Sequence, residues 1–332
     1  MTDDGDRPRS RSNERAATAS IDDLGGHEEA IVNGVRLHYV TAGPTDGDLV
    51  LCLHGFPEFW YSWRHQLPAL AEAGYRVLAP DMRGYNRSEK PHGVSAYRIE
   101  ELIGDVEGLI SSTGRDAAHV VGHDWGGLVA WSTAIEAPEV VETLTILNAP
   151  HPIKYVRDLS FEQLRRSWYV FYFQVPWLPE RLFAARDFAL LEDLFRTAPC
   201  DPDAFSDEDV ERYKTALARP GAVSSAISYY RAMARGAVTG REWDGAEPPS
   251  LRRHSLANVP VVGDRLAGSV STIEVPTLVV WGERDIALVL DQTRGLERYV
   301  EDVKVRRVPD AGHWVQLERP ETVTEELRAF LP

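Results

Sequence analysis

Ala118-His119-Val120-Val121-Gly122-His123-Asp124-Trp125-Gly126-Gly127-Leu128-Val129-Ala130 reads as a buried strand, a tight turn and the start of a helix. The apolar pair Val120-Val121 ends at Gly122, and the helix opens on Gly126-Gly127 and runs on through Trp131. Between them stands Gly-x-Asp-x-Gly, the spacing of a nucleophile elbow with Asp in the place more often held by Ser. Such a turn forces its central residue into a strained backbone conformation. The glycines around it suit places where turn and helix pack too closely for a Cβ. The same letters would also serve an ordinary strand-to-helix turn with Asp124 as N-cap, so the weight falls on the rest of the chain.

Around the elbow the pattern alternates strand and helix. Ala30-Ile31-Val32, Asn33-Gly34 and Val35 to Val40 predict a β-hairpin about an Asn-Gly turn. Leu49 to Leu53 is a continuous apolar run, as a strand buried on both faces requires. A helix is predicted over Ser62 to Ala73, a strand over Tyr75 to Pro80, a helix over Ile99 to Ile110 and a strand over Glu142 to Leu147. From residue 150 to about Arg235 the patterns are helical and aromatic. The strand rhythm resumes at Pro276–Trp281 and Val303–Val308, and a helix over Glu321 to Phe330 closes the chain. The expected fold is therefore α/β: a mostly parallel sheet with helices on both faces, residues 27–149 and 271–332, interrupted by an all-helical cap, residues 150–270. Residues 1–26 read as a disordered tail and 236–270 as a long connecting loop.

Composition narrows the class. Lys and Arg number 36 against 51 Asp and Glu, a formal charge of −15. That disfavours nucleic acid and anionic membrane surfaces as partners. The two cysteines, Cys52 and Cys200, make neither a disulfide framework nor a metal cluster. No apolar run approaches a membrane span, and no signal-peptide centre is present, so the expectation is a cytoplasmic protein.

In an open parallel sheet, sites form beyond the carboxyl ends of the strands. Three successive strand ends are expected to carry a chemically able residue: Asp124, then Asp285 in Trp281-Gly282-Glu283-Arg284-Asp285, then His313 in Asp310-Ala311-Gly312-His313-Trp314. Taken singly, Asp285 and His313 are ordinary loop residues. Taken together, in the order nucleophile, acid, histidine, they match a hydrolytic triad.

These pieces, with His54-Gly55-Phe56-Pro57, Trp168 to Gln174 and Ser228-Tyr229-Tyr230-Arg231, resemble the epoxide hydrolase branch of the α/β-hydrolases, over nearly all of residues 28–332. The resemblance implies Asp124 as nucleophile, His313 as general base and Asp285 as its orienting acid. It implies Tyr169 and Tyr230 as lid proton donors, and the backbone N–H groups of Phe56 and Trp125 as an oxyanion hole. His54, Pro57 and Trp60 are expected near the substrate pocket, with His54 bracing the oxyanion loop. His123 is expected to point away from the site by alternation. No cofactor and no metal are implied, the partner is a small-molecule epoxide, and a homodimer is left open.

The residue types suit that chemistry. A carboxylate with an ordinary pKa near ~4 is already ionised at neutral pH. Attack on a saturated carbon bearing a leaving group gives a hydrolysable alkyl ester. An epoxide oxygen leaves as an alkoxide and needs a proton, which phenols supply. A halide needs only weak N–H donors. A haloalkane or haloacid dehalogenase with the same Asp nucleophile is the alternative, but such enzymes usually carry Asn or Glu where this chain has Phe56, or Arg where it has Trp125. A catalytically silent ligand-binding hydrolase fold has no need of the whole set, and an esterase would place Ser at the elbow. The segment 236–270 has no counterpart in the resemblance.

Overall fold

The computed structural model describes residues 24–239 and 272–332. The expected tail up to residue 23 and the loop from 240 to 271 lie outside the described residues.

Eight strands form one sheet: β1 (Gly26–Val32), β2 (Val35–Ala42), β3 (Leu49–Leu53), β4 (Arg76–Pro80), β5 (Ala118–His123), β6 (Val141–Leu147), β7 (Thr277–Gly282) and β8 (Val303–Val308). Their order is β1-β2-β4-β3-β5-β6-β7-β8. β1 and β2 pair antiparallel, as do β2 and β4, and every other pairing is parallel. Asn33 and Gly34 both take positive φ, 47° and 73°, at the hairpin turn, which is the backbone a two-residue turn needs.

The centre of the sheet is apolar on both faces because the chain covers both. Leu51 and Leu53 of β3 and Val120 of β5 enter one core, shared with Leu102, Val106 and Leu109 of α2 (Ile99–Ser112) and Val129 and Ala130 of α3 (Trp125–Glu136). Val50 and Cys52 of β3 and Val121 of β5 enter the other, with Leu67 and Leu70 of α1 (Gln66–Glu72), Val315 and Leu317 of α10 (Val315–Glu318), and Val323 and Leu327 of α11 (Pro320–Phe330). Each buried Leu or Val removed from water in this way contributes about 1.5–3 kcal/mol.

Three boundaries differ from expectation. The helix predicted over Ser62–Ala73 is a short 3-10 turn, Trp60–Trp63, followed by α1 from Gln66. Pro68 explains the break: lacking an N–H, it belongs in a first helical turn and not two turns in. The hairpin begins at Gly26 rather than Ala30. Its first residues, Gly-His-Glu-Glu, pair with Glu29↔His38 and Gly26↔Thr41 although they show no apolar alternation. The last helix before the undescribed segment continues to Thr239, past the expected end at Arg235.

Between β6 and β7 the described residues are helical: α4 (Pro152–Arg157), α5 (Phe161–Arg166), α6 (Trp168–Tyr172), α7 (Leu178–Thr197), α8 (Asp207–Leu217) and α9 (Ala222–Thr239). They are tied to the loops beyond the strands by buried and half-buried polar contacts. Gln163 of α5 donates to the Ala287 carbonyl and accepts from the Val289 N–H, both at 2.9 Å. Arg166 donates to the carbonyls of Asp285 and Leu288. Tyr229 of α9 donates to the Arg83 carbonyl at 2.7 Å. Among the described residues no helix is long and apolar enough to cross a membrane.

Candidate active site

The site begins at the elbow. Asp124 sits between β5 and α3 with φ 50° and ψ −116°, and its side chain accepts no capping hydrogen bond from the helix. The N-cap alternative is thereby set aside: this carboxylate is held in a costly backbone conformation without serving the helix. The glycines explain how the turn survives. A Cβ on Gly122 would strike the backbone of Gly126, and one on Gly126 would strike the carbonyls of Leu53 and His54. A Cβ on Gly55 would lie 2.6 Å from Asp124 Oδ1, so the loop after β3 approaches the carboxylate only because residue 55 has no side chain.

That approach brings the Phe56 N–H to Asp124 Oδ1 at 2.8 Å. Oδ1 thus already lies where a developing oxyanion would be stabilised, and such a donor is worth roughly 3–4 kcal/mol in a transition state. Trp125, the other expected donor, opens α3 directly after Asp124, and its N–H is not hydrogen-bonded to the resting carboxylate.

The other two expected residues arrive from β7 and β8. His313 Nδ1 is 2.8 Å from Asp285 Oδ2, and His313 Nε2 is 3.5 Å from Asp124 Oδ2. Asp285 also accepts from Asn148 Nδ2 at 2.7 Å and from the backbone N–H groups of Ala287 and Leu288. The three strand ends are not successive, contrary to expectation, because β6 lies between β5 and β7. The end of β6 carries Asn148, at φ 40°, which binds Asp285 through its amide and takes the Gly282 N–H on its oxygen.

The charges reinforce one another. Burial raises the Asp124 carboxyl, but the hydrogen bond and charge of His313, the charge of His123 and the Phe56 N–H outweigh it and hold it below its ordinary value. Asp285 is likewise held low against burial, by His313, Asn148 and the Leu288 N–H. Burial alone would lower His313. Asp285 and Asp124, acting through charge and hydrogen bonding, instead push it well above 6.5. At neutral pH the resting site is an imidazolium between two carboxylates.

The Asp124 side chain remains 16 % exposed, so space reaches it. Aromatic rings surround that space. Tyr230 packs against Trp125 at 5.0 Å, Phe56 at 5.4 Å and Phe173 at 5.0 Å, and Tyr169 lies 5.8 Å from Tyr230. Burial first, then the negative charge of Asp124, raises both phenols well above 10. Both therefore hold their protons at neutral pH and stand near enough to Asp124 to feel its charge. Their neighbours do not compete. Tyr229 is fully buried with its hydroxyl on the Arg83 carbonyl, and Tyr172 packs against the exposed Trp168.

The expected pocket residues divide. His54 is wholly buried; its Nδ1 donates to the Gly55 carbonyl and its Nε2 accepts the Met82 N–H. It braces the loop that carries Phe56. Trp60 is 1 % exposed and packs on His27, Phe59 and Tyr61, in the core on the far face of the sheet. With no surface to offer a ligand, His54 and Trp60 do not wall a cavity. Pro57 is buried beside Phe56. His123 is turned from the carboxylate yet stays in the site, with its Nε2 donating to the His313 carbonyl.

The chain matches the model of the alpha/beta hydrolase fold over residues 48–320. It is 38 % identical to the Bacillus subtilis AB hydrolase superfamily protein YfhM, over 90 % of this chain and 95 % of that protein. It is 38 % identical to epoxide hydrolase 1 of Caenorhabditis elegans, over 90 % of this chain and 68 % of the relative. A crystal structure of a Bacillus megaterium epoxide hydrolase mutant, complexed with its product (R)-3-[1]naphthyloxy-propane-1,2-diol, superposes with a TM-score of 0.76 at 31 % identity, covering 92 % of this chain and 99 % of the other. The chain is an α/β-hydrolase of the epoxide hydrolase family.

Within that family frame, several residues that shape the site had no role assigned to them in the sequence. Asn148 has the look of a turn residue after a strand. Gln163 and Arg166 have the look of surface residues on an amphipathic helix, yet they hold the loop that bears Asp285. Arg231 donates to the carbonyls of Phe173 and Val175 and pairs with Glu180, which fastens Tyr230's helix to the segment after Tyr169. Gln174 adds a bond to the Tyr230 carbonyl. Glu58, in Phe56-Pro57-Glu58, is fully buried beneath the site.

Proposed function

We propose that this hydrolase opens an epoxide to a vicinal diol through an ester on Asp124. Oδ2, the carboxylate oxygen left free by Phe56, attacks a ring carbon from the rear, and the carbon–oxygen bond of the ring breaks. The departing alkoxide takes a proton from Tyr169 or Tyr230, whose protons are retained until that oxygen becomes more basic than a phenolate. The product is an alkyl ester with its carbonyl oxygen, Oδ1, on the Phe56 N–H.

Ester formation changes the base. Asp124 loses its charge, so one of the two carboxylates holding the proton on His313 is gone. His313 releases that proton, which restores the phenol that protonated the alkoxide, and then draws another from a water that attacks the ester carbonyl. Asp285 keeps the ring oriented and stabilises its charged form. The tetrahedral oxyanion at Oδ1 collapses and the Cγ–Oδ2 bond breaks; Oδ2 leaves with the diol, taking the proton His313 drew from water, and Asp124, now with one oxygen from water, returns its remaining proton to His313.

The observation that supports this reading over dehalogenation is the pair of phenols, Tyr169 and Tyr230, close to Asp124 and to each other. A departing halide has no use for a proton. A panel of aliphatic and aryl epoxides, haloalkanes and fluoroacetate tests the choice by separate measurement of diol and free halide. Diol from epoxides with no halide release is expected; halide release without diol would overturn the reading in favour of a dehalogenase.

A further inference from the structure

The cap helix that carries Tyr169 has another face, which the reaction does not use. Phe161 and Leu164 of α5, Trp168 and Phe171 of α6 and Val175 just beyond recur every three or four residues, and all are exposed. Trp177 extends the row. Phe161 is 83 % exposed, Trp168 63 %, and Phe171 and Trp177 62 % each. Backbone bonds carry the row from one helix to the next: the Ser167 N–H donates to the Gln163 carbonyl, the Val170 N–H to that of Ser167 and the Val175 N–H to that of Tyr172. Helical spacing therefore sets these side chains on one side, while Gln163, Ser167 and Phe173 between them are buried. A contiguous apolar row of this length marks an interaction surface.

Its surroundings are basic, although the chain as a whole carries −15. Residues 152–187 hold six basic side chains and four acidic ones, Asp158, Glu162, Glu180 and Asp187. Each acid is already paired, with Lys154, Arg166, Arg231 and Lys214 in turn. Arg157, Arg165, Arg181 and Arg186 are exposed, and the Arg181 guanidinium lies over the Trp177 ring at 5.1 Å. Arginine lays its apolar stem along such a row and holds its charge at the rim. Tryptophan is the side chain best suited to the layer where hydrocarbon meets headgroups.

We propose that this face of the cap docks on the surface of a phospholipid bilayer, with the aromatic row in the headgroup layer and the arginines on lipid phosphates. A second protein chain could cover the row, but a bilayer offers apolar depth and phosphate charge side by side, which is the pattern this face presents. The acidic excess lies elsewhere on the chain and is repelled by an anionic surface, so docking is oriented, cap first. On the same helix Tyr169 turns inward, 5.8 Å from Tyr230 and 5.9 Å from Phe173. One short helix thus stands between the docked face and the phenols, and an apolar substrate dissolved in the bilayer is concentrated beside the cap. Docking does not depend on how the substrate is then opened.

The test uses the full chain and vesicles of phosphatidylcholine with a minority of phosphatidylglycerol. The wild type is expected to sediment with the vesicles, and its tryptophan emission to shift to the blue as Trp168 and Trp177 leave water. The triple variant Trp168→Ser, Phe171→Ser, Trp177→Ser should lose at least about tenfold in vesicle partitioning, with its circular dichroism and its turnover of a small water-soluble epoxide unchanged. The double variant Arg165→Glu, Arg181→Glu keeps the row and reverses two charges at its rim. It should also lose at least about tenfold, and it serves alone if the triple variant does not fold. A wild type that stays in the supernatant would overturn the proposal. So would full binding by both variants, which would place the contact elsewhere. A wild-type dimer that the triple variant breaks, with no vesicle binding, would show the face to be an interface between copies and would equally overturn it.

Discussion

Replacing His313 with Gln is expected to stall the enzyme with its substrate attached. His313 is not needed for the attack of Asp124 Oδ2 on carbon, since the carboxylate is ionised without it. It is needed to take a proton from the hydrolytic water, and glutamine has no basic nitrogen. Turnover should fall on the order of 10⁴-fold, while the first equivalent of epoxide is still consumed. Intact-mass measurement should show protein plus one epoxide, and peptide mapping should place the adduct on Asp124. Free protein alone, with turnover lost, would argue that His313 acts before any bond to Asp124 forms. One of the forces that keep Asp124 ionised does come from His313. The alkylation step in the variant should therefore weaken first at acid pH and remain intact near neutrality.

Replacing Tyr169 and Tyr230 together with Phe should remove ring opening and leave the aromatic packing in place. Tyr230 sits among Phe56, Trp125 and Phe173, and Tyr169 packs on Phe173 and Tyr230, so the loss of two hydroxyls changes little volume. General-acid assistance contributes typically 10²–10⁴-fold. The double variant should lose at least about 10²-fold in the burst of ester formation, and each single variant less, because the remaining phenol still reaches the oxygen. The loss should appear in alkylation and not in the decay of a preformed ester. An unchanged burst in the double variant would remove the phenols from the mechanism, and with them the argument that favours an epoxide over a halide.

Much of this arrangement is visible in the chain because local rules and global fold agree there. The doubly buried run Leu49–Leu53, the elbow glycines and the order Asp124, Asp285, His313 each follow from short-range patterns. What escapes is long-range. Glu58 reads as an ordinary acidic loop residue until His123, 65 positions on, and Gln316, 258 positions on, fold against it. Asn148 is 137 residues from the Asp285 it holds. Trp60 reads as a pocket wall because an aromatic near the oxyanion loop has two uses, and only the packing on His27, Phe59 and Tyr61 decides between them. The late start of the first helix has a local cause, since Pro68 fits a helix that begins at Gln66 and not one that begins at Ser62.

The two carboxylate oxygens of Asp124 have different partners, Phe56 on one and His313 on the other, and the account depends on that division of labour. One oxygen becomes the ester carbonyl, and the other departs with the product. The direct test is a single turnover in heavy-oxygen water with enzyme in excess over epoxide, followed by mass analysis of both diol and protein. The account predicts an unlabelled first diol and one heavy oxygen in the side chain of Asp124. A labelled first diol with unlabelled Asp124 would contradict it, because water would then have attacked the ring itself.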